Sequence, residues 1–213
     1  QVKNFIFEEL GLKTTKIVSN ISDNGNLITT ELIDGGTKIY KVKEKNSFKL
    51  LRSIDITLYY LNQPAKMTFI KRMGVSSKEY GHVFLYKNGF RIYPFGEYGE
   101  DPLKIDARKN QGIRRFLGTR ELMGQIEINY ETSELKETTS RGDGLIKTKT
   151  YNELESYFLE ILKKLERYVV DVQKWGLSIE DIKDGDLNDR ISQLILKISN
   201  SKSVVSFEYH NDL

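Results

Sequence analysis

The alternation of apolar and polar residues along the chain divides it into three regimes. From Thr14 to Lys45, short alternating runs are separated by turn residues: "TTKIVSNIS", then "DNGN", "LITTELI", then "DGG", and "TKIYKVKEK". Period-two alternation with Asn-Gly and Gly-Gly between the runs predicts an antiparallel meander with one wet face. Before it, "VKNFIFEELG" has the pattern of helical turns stopped by glycine. After it, "FKLLRSIDITLYYL" is apolar enough for a buried strand, and "NQPAKMTFIKRMG" predicts a helix. Asn62 suits its cap, Pro64 its first turn and Gly74 its end. "HVFLYK" and "FRIYPF" predict a hairpin closed by Asn88-Gly89 in a type I′ turn. Its aromatic residues are read as cross-strand packing, with a base-stacking platform as the alternative.

The second half is more helical. "EDPLKIDARKNQGIRRFLGTR" is polar and basic, with a short helix expected from Asp106 to Phe116, and "ELMGQIEINY" is expected to be a strand. From Tyr151 to Trp175 the apolar residues Leu154, Phe158, Ile161, Leu165, Val169, Val172 and Trp175 recur at spacings of three and four. That predicts a helix roughly 37 Å long at 1.5 Å per residue. A Thr150–Glu153 capping box is expected to start it and Gly176 to end it. "LNDRISQLILKISN" and onward gives a further amphipathic helix, which either docks internally or begins a coiled coil.

Composition narrows the chemistry. The 213 residues are 38% hydrophobic and 30% charged with a net charge of +3, the balance of a folded chain that carries no strong electrostatic bias. The absence of cysteine excludes disulfide scaffolds, thiol nucleophiles and zinc ribbons. With only His82 and His210, a multi-histidine metal site is not expected. No apolar run reaches the ~18–20 residues that cross a bilayer, and "QVKNFIFEEL" lacks the apolar core of a secretion signal. A cytoplasmic protein without membrane contact is expected. The missing initiator Met suggests a fragment of something longer.

One loop carries candidate chemistry. In "LKETTSRGDGLIKTK", Arg141 is surrounded by Ser140, Gly142, Asp143 and Gly144 and followed by Lys147 and Lys149. Glycines allow positive φ, a helix start nearby favours an anion, and a guanidinium matches phosphate oxygens. On residues alone this is either an ordinary polar turn or an anion-contacting loop. Arg-Gly-Asp as an adhesion tripeptide does not suit a cysteine-free chain. The G-x-x-x-x-G-K-[ST] pattern of a phosphate-binding loop is absent. A second candidate is basic: Lys104, Arg108, Lys109, Arg114, Arg115 and Arg120 either form a nucleic-acid face or a solvated connector.

The order of these segments resembles a known family. The hairpin "HVFLYKNGFRIYPFGE", a basic connector, the strand "GTRELMGQIEIN", the loop "LKETTSRGDG" and the helix "YNELESYFLEILKKLERYV" follow one another as in the transducer, or middle, domain of the GHKL ATPases. These include gyrase, the ninety-kilodalton heat-shock chaperones, MutL and the MORC proteins. Ser140-Arg141 stands where the chaperones carry an N-[IV]-S-R-E loop. The Lys and Asp of the MORC N-K-Q-D loop fall on Arg141 and Asp143, and Tyr86 to Arg91 is similar to the MORC Y-x-N-x-R hairpin with one residue extra. "NGFRIYPFGEYGEDPLKIDARKNQG" resembles bacterial ATP-binding GHKL proteins.

The likeness covers roughly residues 50 to 175. It implies an α+β, ribosomal-protein-S5-like fold, with a mixed sheet packed against helices. Residues 1–50 would be linking strands from an ATPase domain, 51–176 the transducer, and 177–213 a C-terminal helical extension. It also implies that Arg141 contacts the ATP γ-phosphate, supported by Ser140, Gly142, Asp143, Gly144 and Lys147, and couples ATP occupancy to conformational change. ATP and Mg would sit in a separate N-terminal domain, because this chain lacks the N-x-x-x-N and D-x-G-x-G motifs. The fragment alone would therefore not hydrolyse ATP. Homodimerisation, through Leu187 to Asn200, and DNA or RNA binding are the further partners considered.

Overall fold

The computed structural model describes residues 14–112, 115–138, 144–173, 175 and 187–209. The fold is α+β: one mixed eight-stranded sheet with helices, of which one is long. The strands are β1 (Lys16–Ile21), β2 (Leu27–Asp34), β3 (Thr37–Lys45), β4 (Ile54–Tyr60), β5 (Val83–Lys87), β6 (Phe90–Ile92), β7 (Leu122–Ile128) and β8 (Val204–Tyr209). The helices are α1 (Gln63–Met73), α2 (Ser77–Tyr80), α3 (Ile105–Lys109), α4 (Lys149–Arg167) and α5 (Leu187–Ser199). The sheet order is β6-β5-β7-β4-β1-β2-β3-β8. β5 and β7 are parallel, and every other neighbouring pair is antiparallel.

Alternation decides which side is covered. Ile17, Ile21, Ile28, Leu32, Ile54, Ile56, Leu58 and Ile126 share one buried core with Leu154, Tyr157, Phe158, Ile161 and Leu165 of α4. Ser19 and Thr30 fall on the same buried face and hydrogen-bond each other, and the Tyr157 hydroxyl reaches Ser19 at 2.8 Å. Buried polar groups need such partners. A second, smaller cluster joins Tyr59, Phe84 and Met123 to Leu61, Ala65 and Phe69, so α1 packs on that cluster.

The meander, the α1 helix with its Asn62 cap and Gly74 stop, and the Asn88-Gly89 hairpin match the sequence expectations. Both turn residues have positive φ, 49° and 82°, as a type I′ turn requires. Other expectations are corrected. The expected Asp106–Phe116 helix is only Ile105–Lys109. The cap of α4 is Thr148, whose side chain accepts from the Tyr151 amide, whereas Thr150 is buried within the first turn. Glu153 does not close a capping box; its carboxylate accepts the Leu50 amide at 2.8 Å. The long helix is α-helical to Arg167 and continues as a π-helical turn, Tyr168–Val172. The tail helix docks internally through Ile191, Leu194 and Ile198, and is followed by β8, a strand the sequence pattern did not reveal. The expected helix before Gly11 and the Gly176 stop lie outside the described residues.

Candidate functional site at the β7–α4 loop

β7 ends beside the β5–β6 hairpin, and the loop leaving it is tied to that hairpin. Lys87 donates to the Thr132 and Leu135 carbonyls at 3.1 and 2.9 Å, and the Asn88 side chain donates to Glu131 at 2.8 Å. Asn129 donates its side-chain amide to Asp55 at 2.7 Å and its backbone amide to the Ser53 carbonyl.

The two legs of the loop pair with each other. Glu137 and Leu145 form an antiparallel bridge. The Thr138 amide donates to the Gly144 carbonyl at 2.9 Å, and Ile146 to the Lys136 carbonyl at 2.8 Å. Leu135 and Leu145 are buried and root both legs in the main core. Thr148 links the outgoing leg back to the Glu134 carbonyl while capping α4. Gly144 has φ +72°, and a Cβ there would come within 3.0 Å of the Phe95 ring. That close approach and the left-handed backbone both favour glycine. Residues 139–143, which include the candidate residues Ser140, Arg141, Gly142 and Asp143, are outside the described residues.

The described legs carry exposed charge of both signs, Lys136, Lys147 and Lys149 with Glu134 and Glu137, and the first turn of the 19-residue α4 holds no acidic side chain. The helix start therefore keeps its positive end uncompensated from within.

The second candidate set is dispersed by pairing. Arg108 makes a bidentate ion pair with Glu166 and lies over the Phe116 ring, its guanidinium carbon 4.1 Å from the centroid. Lys109 pairs with Glu121 at 2.7 Å. Lys104 is exposed, 3.9 Å from Glu155. Arg115 and Arg120 are exposed, and Arg114 lies outside the described residues. In the hairpin, Phe84 is buried against Tyr80 and Arg91, whereas Phe90 and Tyr93 are exposed, so cross-strand packing accounts for only part of its aromatic residues.

Sequence reasoning missed the anchors of the loop. Lys87 ends the strand-like run "HVFLYK", and nothing local marks a lysine that donates to carbonyls 45 and 48 residues away. Thr148 carried a signal, since it too lies just before the helical period, but Thr150 with Glu153 fitted the capping template better. Among the described residues no helix is long and apolar enough to cross a membrane, and no group of His, Asp and Glu side chains is arranged to hold a metal ion. No family model matches the chain, and no curated protein matches it.

Proposed function

We propose that this chain is the S5-like transducer module of a cytoplasmic GHKL-type ATPase, and that Arg141 contacts the γ-phosphate of ATP held by a preceding N-terminal domain. The observation that supports the reading is the β7–α4 connection: two mutually paired legs, rooted in the core by Leu135 and Leu145, flank residues 139–143 just before the long helix. The order of hairpin, connector, strand, loop and long helix supports it as well. The nucleotide domain would supply ATP and Mg. Arg141 would stabilise the negative charge that grows on the transferring phosphoryl group, and α4, rooted in the core beside the loop, would carry the occupancy of that contact into the sheet.

The rival readings draw less from the geometry. A nucleic-acid face loses Arg108 and Lys109 to carboxylates, and dimerisation through α5 loses the Ile191, Leu194 and Ile198 stripe to the interior.

In the intact protein, Arg141→Ala is expected to lower ATP turnover at least about tenfold while ATP affinity falls less, because the contact strengthens in the transition state. Steady-state hydrolysis with a separate nucleotide-binding measurement tests this. Unchanged turnover removes Arg141 from the mechanism, and an intact protein that neither binds nor hydrolyses ATP removes the whole reading.

A further inference from the structure

The face of the sheet turned away from α4 is covered unevenly. α1 packs there through Ala65 and Phe69, on Tyr59 of β4, Phe84 of β5 and Met123 of β7. β1 and β2 lie beside that footprint, next to β4 in the sheet. Where they face the same side, one row runs Tyr59, Lys16, Ile33 across the strands and the next runs Thr57, Val18, Glu31. A solvated sheet face is polar, yet this strip presents Val18 and Ile33, both half-buried and neither part of a buried cluster. Two strands at about 4.8 Å spacing are as wide as one helix, so the strip beside α1 has room for one more element.

The chain leading into β1 leaves from the end of this strip. β1 begins where β4 ends: Lys16 lies opposite Tyr59, and the Thr14 hydroxyl donates to the Tyr60 carbonyl. α1 starts from that same end, capped by Asn62, and folds back over the sheet. The chain preceding Thr14 departs one strand away from it. Residues 1–13 are outside the described residues, and their sequence is "QVKNFIFEELGLK". Val2, Phe5, Ile6 and Leu10 recur at spacings of three and four, a single apolar stripe in a helix. Ten helical residues span about 15 Å and the six of β1 about 20 Å, so such an element fits along the strand.

Charge fits as well. α1 carries Lys66, Lys71 and Arg72 and no acidic side chain. Glu8 and Glu9 follow Phe5 by three and four residues, which places both carboxylates at the Phe5 edge of the apolar stripe. With the stripe on the sheet and that edge toward α1, acidic and basic groups adjoin.

We infer that residues 2–12 form the missing cover of this face, laying Val2, Phe5, Ile6 and Leu10 over Val18 and Ile33 with Glu8 and Glu9 against the basic side of α1. The chain that enters β1 is thereby a docked second element of the α1 layer. This does not depend on the ATPase reading.

Amide hydrogen exchange of the full 213-residue chain tests it, with methyl NMR of Val18 and Ile33 as a second readout. Amides of residues 5–10 are expected to exchange at least about tenfold more slowly than in an unstructured chain, at every protein concentration. Val18→Asp should return them to the unstructured rate while β1, β2 and β4 stay protected. Phe5→Asp, which alters no described residue, should shift the Val18 and Ile33 methyl signals as the ring leaves them. It decides the matter where Val18→Asp impairs folding. Unprotected amides at 5–10, protection that survives Val18→Asp, or methyl signals unmoved by Phe5→Asp overturn the inference. Protection that appears only as concentration rises overturns it too, and gives the face to a second copy of the chain. Arg141→Ala should leave both readouts unchanged, so failure here and failure of the ATPase reading are distinguishable.

Discussion

The most demanding single residue in the molecule is Glu166. It sits on α4 with its side chain 6% exposed, accepts both arms of Arg108, and also takes the Leu117 amide at 2.9 Å. A carboxylate this buried is tolerable only when every oxygen is engaged. The sequence presents Arg108 as one of a run of surface cations, because its partner lies 58 residues away and no local pattern connects them. Arg108→Ala is expected to destabilise the fold by about 3–5 kcal/mol, since it strands a buried charge. The double variant Arg108→Met, Glu166→Leu should recover most of that loss, because the pair and an apolar substitute differ little in net stability. Urea unfolding of both variants is the measurement. A single-variant cost below about 1 kcal/mol, the ordinary worth of an exposed pair, would show that Glu166 finds water instead.

At the scale of elements, the close approach of β4 and β7 sets the centre of the sheet. A Cβ on Gly124 would collide with the Thr57 carbonyl oxygen and lie 3.0 Å from the Leu58 Cα. Gly124→Ala should therefore cost about 1–3 kcal/mol by overpacking backbone that has no room to yield, and a thermal melt checks it. A melting temperature equal to wild type would mean that the two strands part freely. This requirement was not legible, since "ELMGQIEINY" reads as a strand with or without its glycine. What was legible had strong local signals: Asn62, Pro64 and Gly74 bounded α1, and Asn88-Gly89 fixed a hairpin. Elements decided by distant contacts were not. β8 is a half-exposed edge strand whose partner, β3, precedes it by most of the chain, and the docking of α5 depends on a core contributed by other segments. At the candidate site, position and composition were readable, but the paired legs were not, because they are held by Lys87 and by backbone bonds that leave no periodic trace.

Over the whole molecule, helix and sheet are joined largely by tyrosines. Tyr157 and Tyr168 on α4 and its π-turn reach Ser19 and Asp34 of the meander, Tyr151 lies under the connector near the Pro102 carbonyl, and Tyr40 is enclosed beneath Phe207. Burial pushes the phenols of all four well above the usual value of 10, with Asp34 adding to the effect at Tyr168. Tyr60 is raised by the same cause to about 12. A folded value above the unfolded one means that the unfolded chain loses its protons first. The stability held by these groups is therefore complete below about pH 10 and falls as pH rises beyond it, by up to roughly 1.4 kcal/mol per group per pH unit. Because several groups act together, unfolding should become steep between pH 10 and 12. Tyrosinate absorbance from the buried set should rise only as circular dichroism reports loss of the sheet. A single reversible titration of all 12 tyrosines near pH 10, with the sheet signal intact, would mean that the helix layer is not sealed onto the sheet by these rings.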